Sequence, residues 1–267
     1  MADLPLEDLV AIADAAAEAG AATILRAARE RGDGDVAAED KGASGDYVTE
    51  VDRNSERVVT EVLRYATGFP TFGEEEGGER AARYWIVDPL DGTTNFVHGL
   101  PMVGVSVALV EDGRPTAGVV NAPFLGETYA GGRGLGAERR TADGSSPLQV
   151  SDRPVERAVV GTGFPFRNKE VLPRYLAVLG AALEGFEDLR RPGAASLDLA
   201  WTAAGAFDGF FELGLAPWDV AAGGLLIEEA GGRVTDWSGG PDYLGGDILA
   251  GPPQIHAELL RLASAHP

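Results

Sequence analysis

Two residue types that often build metal and redox sites are missing or scarce. The 267-residue chain has no cysteine, which excludes disulfide bridges and thiolate-bound zinc or iron–sulfur clusters. Histidine occurs three times, at His98, His256 and His266, and these positions form no HExxH pattern. Thiolate metal chemistry and the zinc-protease motif are therefore excluded.

Long apolar runs are missing as well. No stretch reaches the about 20 consecutive apolar residues of a membrane-spanning helix. The first ten residues, MADLPLEDLV, are acidic and lack the basic n-region of a secretory signal. We therefore expect a cytoplasmic protein with no membrane partner.

Positive charge is the third deficit. Lysine and arginine total 22 against 42 acidic residues, the net charge is −20, and only Lys41 and Lys169 are lysines. Such a field repels nucleic acid, so we expect no nucleic-acid partner. It also repels a phosphorylated substrate unless bound cations neutralise the substrate locally. Adaptation to high salt would explain the acidic excess.

The signatures of two other kinds of chemistry are absent. Neither lysine is followed by Ser or Thr, so there is no P-loop, and GGRGLG has no strand–turn–helix frame for a dinucleotide. Ser106, Ser151 and Ser196 lie in no nucleophile-elbow context. Nothing here indicates a P-loop enzyme or a serine hydrolase.

What is present indicates a globular protein of mixed helices and strands. Hydrophobic residues make up 45% of the chain and charged residues 24%, which is enough for a substantial core. Helical periodicity covers 5–31 and about 52–67, with Asp52 as the expected cap of the second helix. Residues 83–88 read as a buried strand.

The second half of the chain also alternates strands and helices. A polar, turn-rich stretch at 140–157 is a candidate boundary. We therefore divide the chain into an N-terminal α+β part, residues 1–150, and a C-terminal α/β part, residues 151–267. A helix is expected at 218–232, with Asp219 near its start.

The segment WIVDPLDGTTNF carries the clearest chemistry. Asp88 and Asp91 flank Pro89, which fixes the turn between them, so both carboxylates can face one cation. Magnesium prefers such oxygen ligands, and the Leu90 carbonyl can add a neutral one. The alternative is a capped turn without a ligand, because Asp-Pro and Asp-Gly are common loop dipeptides.

The same segment offers donors for an anion. Gly92 lets the backbone approach an anion closely, and the N–H groups of Gly92, Thr93 and Thr94 can hold a phosphate if a helix begins there. Two further acidic segments are GEEEGG at 73–78 and the start of PWDVAAGG, where Asp219 lies. Their alternatives are a solvated surface loop and a helix cap, respectively.

The order of these segments resembles the inositol monophosphatase family of Mg²⁺-dependent, lithium-sensitive phosphatases. GEE, DPLDGTTNF and WDVAAGGLLIEEAGG carry the resemblance, which extends over most of the chain to YVTEVD and GDILAGPP. It implies an α/β (α+β layered) protein with the αβαβα sugar-phosphatase fold. It also implies two or three bound Mg²⁺ ions and, as is common in the family, a homodimer.

The resemblance further implies a role for each matching residue. Glu74 binds metal and positions the attacking water, Asp88 bridges two metals, and the Leu90 carbonyl completes the first of these. Asp91 and Asp219 bind the second metal. Thr93, with Glu74, orients or deprotonates the water.

Other matching residues surround this centre. The amides of Gly92, Thr93 and Thr94 hold the phosphate, and Glu75 is a secondary member of the metal shell. Lys41 and Asp52 match positions that help to hold a further metal. On the substrate side the resemblance points to Glu212, Gly193, Ala194 and Ala195, with Ala194 departing from the family's usual Ser or Thr.

The implied activity is hydrolysis of myo-inositol monophosphate to inositol and phosphate by metal-activated water. Related families on this scaffold act on fructose 1,6-bisphosphate, histidinol phosphate or 3′-phosphoadenosine nucleotides, so a broad sugar-phosphate phosphatase is one alternative. The motif residues do not separate these substrates, because they bind metal and phosphate. A regulatory protein-binding role is the other alternative, since some bacterial relatives contact the transcription machinery.

Overall fold

The computed structural model of the chain describes residues 4–31, 38–40, 47–166 and 168–266. Within these residues there are seven α-helices and fifteen strands. The helices are α1 (Leu6–Arg31), α2 (Glu50–Thr67), α3 (Thr93–Val97), α4 (Leu172–Gly185), α5 (Ala195–Ala203), α6 (Pro217–Glu229) and α7 (Pro253–Ala265). The strands are β1 (Ala38–Asp40), β2 (Tyr47–Thr49), β3 (Thr71–Gly73), β4 (Gly77–Gly78), β5 (Arg83–Asp91), β6 (Gly104–Glu111), β7 (Arg114–Ala122), β8 (Glu127–Gly132), β9 (Gly136–Thr141), β10 (Gly144–Pro147), β11 (Val159–Thr162), β12 (Asp188–Arg190), β13 (Gly209–Glu212), β14 (Arg233–Thr235) and β15 (Ile248–Gly251).

The strands of the described residues form three sheets. The large sheet has eight strands in the order β10-β9-β8-β7-β6-β5-β3-β4, and only the β3–β5 pair is parallel. The small sheet has five strands in the order β12-β11-β13-β15-β14, and its β11 pairs in parallel with both β12 and β13. Strands β1 and β2 form a separate antiparallel pair. The large sheet is therefore mostly antiparallel.

Helices cover both faces of each of the two larger sheets. Helices α1 and α2 pack on one face of the large sheet, and α5 and α6 pack on its other face. Helix α5 also contacts the small sheet, whose opposite side is covered by α4 and α7. The result is five layers, αβαβα, and the predicted fold class is confirmed.

Strand β5 shows how the sequence builds the two inner layers. Its residues are buried from Tyr84 to Asp91. Side chains alternate between the faces of a strand, so Trp85 and Val87 join the core under α1 and α2. Ile86 joins the core under α5 and α6. A continuous apolar run therefore ends in carboxylates at the centre of the molecule.

The turns between elements follow local sequence. Asp112 and Gly113 form the turn of the hairpin between β6 and β7, and both have positive φ, 48° and 78°. The expected cap of α2 was wrong, because the helix begins at Glu50 and Thr49 is its N-cap. Asp52 is the third helical residue, and its carboxylate accepts the Thr49 N–H at 2.8 Å, which completes a capping box.

No helix among the described residues is long and apolar enough to span a bilayer.

Asp208 ties the connection after the large sheet to the small sheet. This fully buried carboxylate accepts hydrogen bonds from the Ser151 hydroxyl, from Arg153 at 2.8 Å and from the Val159 N–H at 2.7 Å. We expect Asp208→Ala to lower the free energy of unfolding by about 3 kcal/mol, because it removes a fully buried acceptor of three hydrogen bonds. The unfolding temperature should then fall by roughly 6–12 °C.

The matched control is Asp188→Ala, which removes an exposed carboxylate paired with Arg190. Exposed ion pairs contribute little to stability, so its unfolding temperature should stay near the wild-type value. Equal losses in the two variants, measured by calorimetry, would show that burial of Asp208 does not matter.

Candidate active site

One cavity of about 480 Å³ collects most of the predicted site residues. It lies where the end of β5, the starts of α3, α5 and α6 and the end of β13 meet. Residues of both the first and second parts of the chain line it. The predicted residues that line it are Glu74, Asp88, Leu90, Asp91, Gly92, Thr93, Thr94, Gly193, Ala194, Ala195, Glu212 and Asp219.

Among the described residues, two predicted ones do not line the cavity, and Lys41 lies outside the described residues. Asp52 is not a lining residue, but it is reached through a hydrogen bond from Thr93. Glu75 also lies away from the cavity surface, where its backbone N–H donates to Glu56 at 2.8 Å.

Three carboxylates converge at the floor of the cavity. Asp88, Asp91 and Asp219 each place one oxygen so that the three oxygens lie within 4.8 Å of one another. All three side chains are at least nine-tenths buried. Such closely spaced and buried acids repel one another strongly.

The end of β5 explains how two of these acids come together. The pairing register between β5 and β6 shifts between Asp88 and Asp91. Pro89 cannot donate to the ladder, and its carbonyl accepts the Ser55 hydroxyl at 2.8 Å. The Leu90 N–H donates to the Asp88 carboxylate at 3.0 Å. This bulge places both acids on the same side of the strand end.

Residues of the second part of the chain orient the other acids. Asp91 accepts the Ser196 N–H at 2.7 Å and the Ser196 hydroxyl at 2.6 Å, in the first turn of α5. Asp219 is the third residue of α6, and its carboxylate accepts the Ala216 N–H at 2.6 Å. Asp219 therefore caps its helix and also belongs to the acidic cluster, so the two interpretations of this residue coexist.

The pKa values reflect this crowding. Burial, followed by the charges of Glu74, Asp91 and Asp219, holds the pKa of Asp88 well above its ordinary value. Burial also raises the pKa of Asp91 to about 6, against the opposing effect of its hydrogen bonds from Ser196. A divalent cation would relieve both the repulsion and the desolvation. Three carboxylates beside a backbone carbonyl are also the ligands that Mg²⁺ prefers, so the residues fit such an ion.

Glu74 is positioned by a residue that the sequence reasoning missed. The Glu74 N–H donates to the Val87 carbonyl at 3.2 Å. The buried carboxylate of Glu56 accepts the N–H groups of Glu75 and Glu76, both at 2.8 Å. The only sequence signal was an acid one helical turn after Asp52, on the face of α2 that also carries apolar residues.

Glycines let the backbone approach these carboxylates. A Cβ on Gly73 would lie 2.4 Å from a Glu56 carboxylate oxygen, and one on Gly163 would lie 2.0 Å from a Glu212 oxygen. Gly92, the N-cap of α3, has φ 89°, and a Cβ there would lie 2.7 Å from the Met102 carbonyl. Gly92 is required by its positive φ and by the backbone carbonyl beside it, whereas a side chain at Gly73 or Gly163 would displace the end of Glu56 or Glu212.

Thr93 links the cavity to α2. Its hydroxyl lies 2.8 Å from Asp52 Oδ1 and 3.2 Å from the Leu90 carbonyl oxygen, and it can donate to either. Burial raises the pKa of Asp52, while hydrogen bonds from Thr49 and Thr93 oppose that rise. The expected pairing of Thr93 with Glu74 stays a prediction.

Comparison with known proteins assigns the chain to a family. The model of the inositol monophosphatase family matches residues 6–267, and the chain belongs to that family. It is 44% identical over 247 residues, 89% of this chain and 92% of the relative, to a protein of Neisseria meningitidis serogroup B named putative Nus factor SuhB.

Two solved structures share the fold. The extragenic suppressor protein suhB of Bartonella henselae superimposes with a TM-score of 0.88 at 37% identity, covering 96% of this chain and 98% of its own. The inositol monophosphatase of Anabaena (Nostoc) gives a TM-score of 0.84 at 34% identity, covering 98% and 97%. The chain thus resembles both a protein named inositol monophosphatase and proteins named SuhB, one of which is named a putative Nus factor.

The raised pKa of Asp91 predicts a pH-dependent stability of the metal-free protein. The folded state keeps a proton that the unfolded chain, with an aspartate pKa near 3.9, releases. The resulting stabilisation is present below about pH 4 and is lost as the pH rises through about 6. We expect the unfolding temperature of metal-free wild type to fall more between pH 4.5 and 7.5 than that of Asp91→Asn. Parallel pH profiles for the two proteins would contradict this assignment.

Glu56→Gln tests the support of the Glu74 turn. Glutamine replaces one acceptor oxygen by a donor, so one of the two backbone N–H groups loses its partner. We expect the Mg²⁺ concentration that half-saturates the rise in unfolding temperature to increase about tenfold. The control is Glu61→Gln, which changes an exposed acid on the same helix. Reduced stability with unchanged Mg²⁺ response would leave Glu56 a purely structural role.

Proposed function

We propose that the protein is a Mg²⁺-dependent phosphomonoesterase that hydrolyses myo-inositol monophosphate to inositol and phosphate. The observation that carries this proposal is the cluster of Asp88, Asp91 and Asp219, whose oxygens lie within 4.8 Å of one another beside the start of α3. Membership in the inositol monophosphatase family supports it. The cavity of about 480 Å³ has room for a small phosphorylated polyol.

The residues would hold two Mg²⁺ ions in overlapping sets. Glu74, Asp88 and the Leu90 carbonyl form one set, and Asp88, Asp91 and Asp219 form the other. A third ion would involve the segment that contains Lys41. When bound, Mg²⁺ supplies a water of lowered pKa and positive charge to balance the phosphate.

Thr93 would accept a hydrogen bond from the attacking water and so orient it. Its own hydroxyl hydrogen points to Asp52 or to the Leu90 carbonyl, so a lone pair of its oxygen faces the cavity and can accept a hydrogen bond from water. Asp52 fixes this orientation because its other oxygen accepts the Thr49 N–H. Glu74 completes the placement of the water, and no covalent phosphoenzyme is required.

The remaining residues would bind the two ends of the substrate. The amides of Gly92, Thr93 and Thr94 would hold the phosphate at the first turn of α3. Glu212 and the loop from Gly193 to Ala195 would contact the alcohol. Ala194 offers no hydroxyl, so one substrate contact typical of the family would be missing.

The cavity also suits a broader sugar-phosphate phosphatase. The residues that would bind metal and phosphate do not touch the alcohol, so fructose 1,6-bisphosphate or histidinol phosphate remains an alternative substrate.

Lithium would compete for the ion position formed by Asp91 and Asp219. We also propose a cytoplasmic homodimer, following the sequence-based expectation.

A regulatory role is a second candidate because the Neisseria relative is named putative Nus factor SuhB. That name is in tension with the expected absence of a nucleic-acid partner. The net charge of −20 favours contact with a protein over direct contact with RNA. A stable protein complex that survives Asp91→Asn would support this role.

Phosphate release tests the enzyme proposal. The substrates are inositol 1-phosphate, fructose 1,6-bisphosphate, histidinol phosphate and 3′-phosphoadenosine 5′-phosphate, each over a range of Mg²⁺ and salt concentrations. We expect the protein to prefer inositol 1-phosphate. We also expect Asp88→Asn to lower the rate of phosphate release by more than about 100-fold, since loss of a metal ligand should exceed the roughly 10–100-fold loss typical of residues that only orient the ligands. The exposed variant Asp188→Asn is the control.

The outcomes separate the candidates. Comparable rates on several substrates would indicate a generalist phosphatase. Near-wild-type turnover in Asp88→Asn would contradict the shared-ligand role, and no release from any substrate would favour the regulatory role.

A further inference from the structure

Asp198 is a buried acid of the cavity that the mechanism above does not use. It is the fourth residue of α5, it lines the cavity, and only 1% of it is exposed. Its Oδ1 atom is buried and has no hydrogen-bond partner. None of the sequence motifs pointed to this position.

A buried carboxylate oxygen without a partner is unusual and costs free energy. Asp208 shows the usual arrangement in this protein, since its two oxygens accept three hydrogen bonds. The chain thus satisfies a buried acid where the acid serves the fold. At Asp198 the missing donor would come from a ligand in the cavity.

The surroundings indicate the kind of donor. Burial, then the charges of Asp91 and Glu212, raise the pKa of Asp198, and the Arg191 guanidinium opposes the rise. A cationic group of a ligand at this position would be repelled by the guanidinium of Arg191, which also lines the cavity. A neutral hydroxyl group meets no such repulsion and supplies the single donor that Oδ1 lacks.

The position indicates which part of a ligand would reach it. The electrostatic neighbours of Asp198 are Asp91, in the acidic cluster, and Glu212, on the expected substrate side. A group bound here would be close to the ester that is cleaved. Hydroxyls on carbons next to the phosphate-bearing carbon match this placement.

We propose that Asp198 accepts a hydrogen bond from a hydroxyl of the leaving group, so that Asp198 and Glu212 together select polyol phosphates over esters without neighbouring hydroxyls. This inference rests on the proposed phosphatase function and assigns a residue to the recognition of the alcohol part of the substrate. Asp198 would act as a specificity residue and would not bind metal.

The experiment compares two esters in Asp198→Ala, which removes the acceptor, and in Asp198→Asn, which keeps one acceptor oxygen. Inositol 1-phosphate carries neighbouring hydroxyls, whereas p-nitrophenyl phosphate has none. At saturating Mg²⁺ we expect kcat/KM for inositol 1-phosphate to fall about tenfold in Asp198→Ala, the loss typical of one hydrogen bond, and to fall less in Asp198→Asn. The value for p-nitrophenyl phosphate should stay within about twofold of wild type, since no hydrogen bond is lost.

The matched control is Asp208→Asn, a buried acid outside the cavity. It should lower the unfolding temperature while the ratio of the two kcat/KM values stays constant. Equal losses on both esters in the Asp198 variants would overturn the proposal and indicate a structural role. A loss confined to the cationic ester O-phosphoethanolamine would also overturn it, because the donor would then be an ammonium group.

Binding of free inositol gives a readout that does not need turnover. Calorimetry should detect inositol binding to wild type and much weaker binding to Asp198→Ala. If wild type hydrolyses neither ester, the proposed function fails, and the inositol titration alone decides the role of Asp198. Equal affinity of the two proteins for inositol, or no binding to wild type, would overturn the inference.

Discussion

The repulsion among three buried carboxylates is the constraint around which this structure is organised. Asp88, Asp91 and Asp219 come within 4.8 Å of one another, which is unfavourable without a cation. Their positions are therefore fixed by rigid parts of the fold. A bulge at the end of β5 holds the first acid, the first turn of α5 holds the second, and the N-cap of α6 holds the third.

This arrangement couples the two halves of the chain. Asp91 belongs to the large sheet, but its hydrogen bonds come from Ser196 in the second half. The hydrophobic cluster that supports the site likewise joins Ile86 of β5, Leu226 of α6 and Phe210 of the small sheet. Any shift between the halves would move Asp91 relative to its donors. The boundary near residue 150 stays a prediction, but it does not divide the site into independent pieces.

The sequence predicted the residues that lie in contiguous motifs and missed those that act across the fold. DPLDGTT pointed to the cavity because Asp88, Leu90 and Asp91 are neighbours along the chain, and one turn brings them together. Ser196, Glu56 and Asp198 reach the site only through the packing of helices on the large sheet. Their residue types have ordinary explanations on a helix, so no local pattern separates them from capping or surface residues.

The same limit explains the wrong cap on α2. Both Thr49 and Asp52 are good capping residues, and sequence alone does not rank them. In the structure both residues take part in the cap, because Asp52 accepts the Thr49 N–H while its other oxygen accepts the Thr93 hydroxyl. The start of α2 and the position of Thr93 therefore depend on one carboxylate.

A chain of net charge −20 repels an anionic ester over most of its surface. Under the proposed function, binding of such an ester would therefore depend on cations held at the acidic cluster.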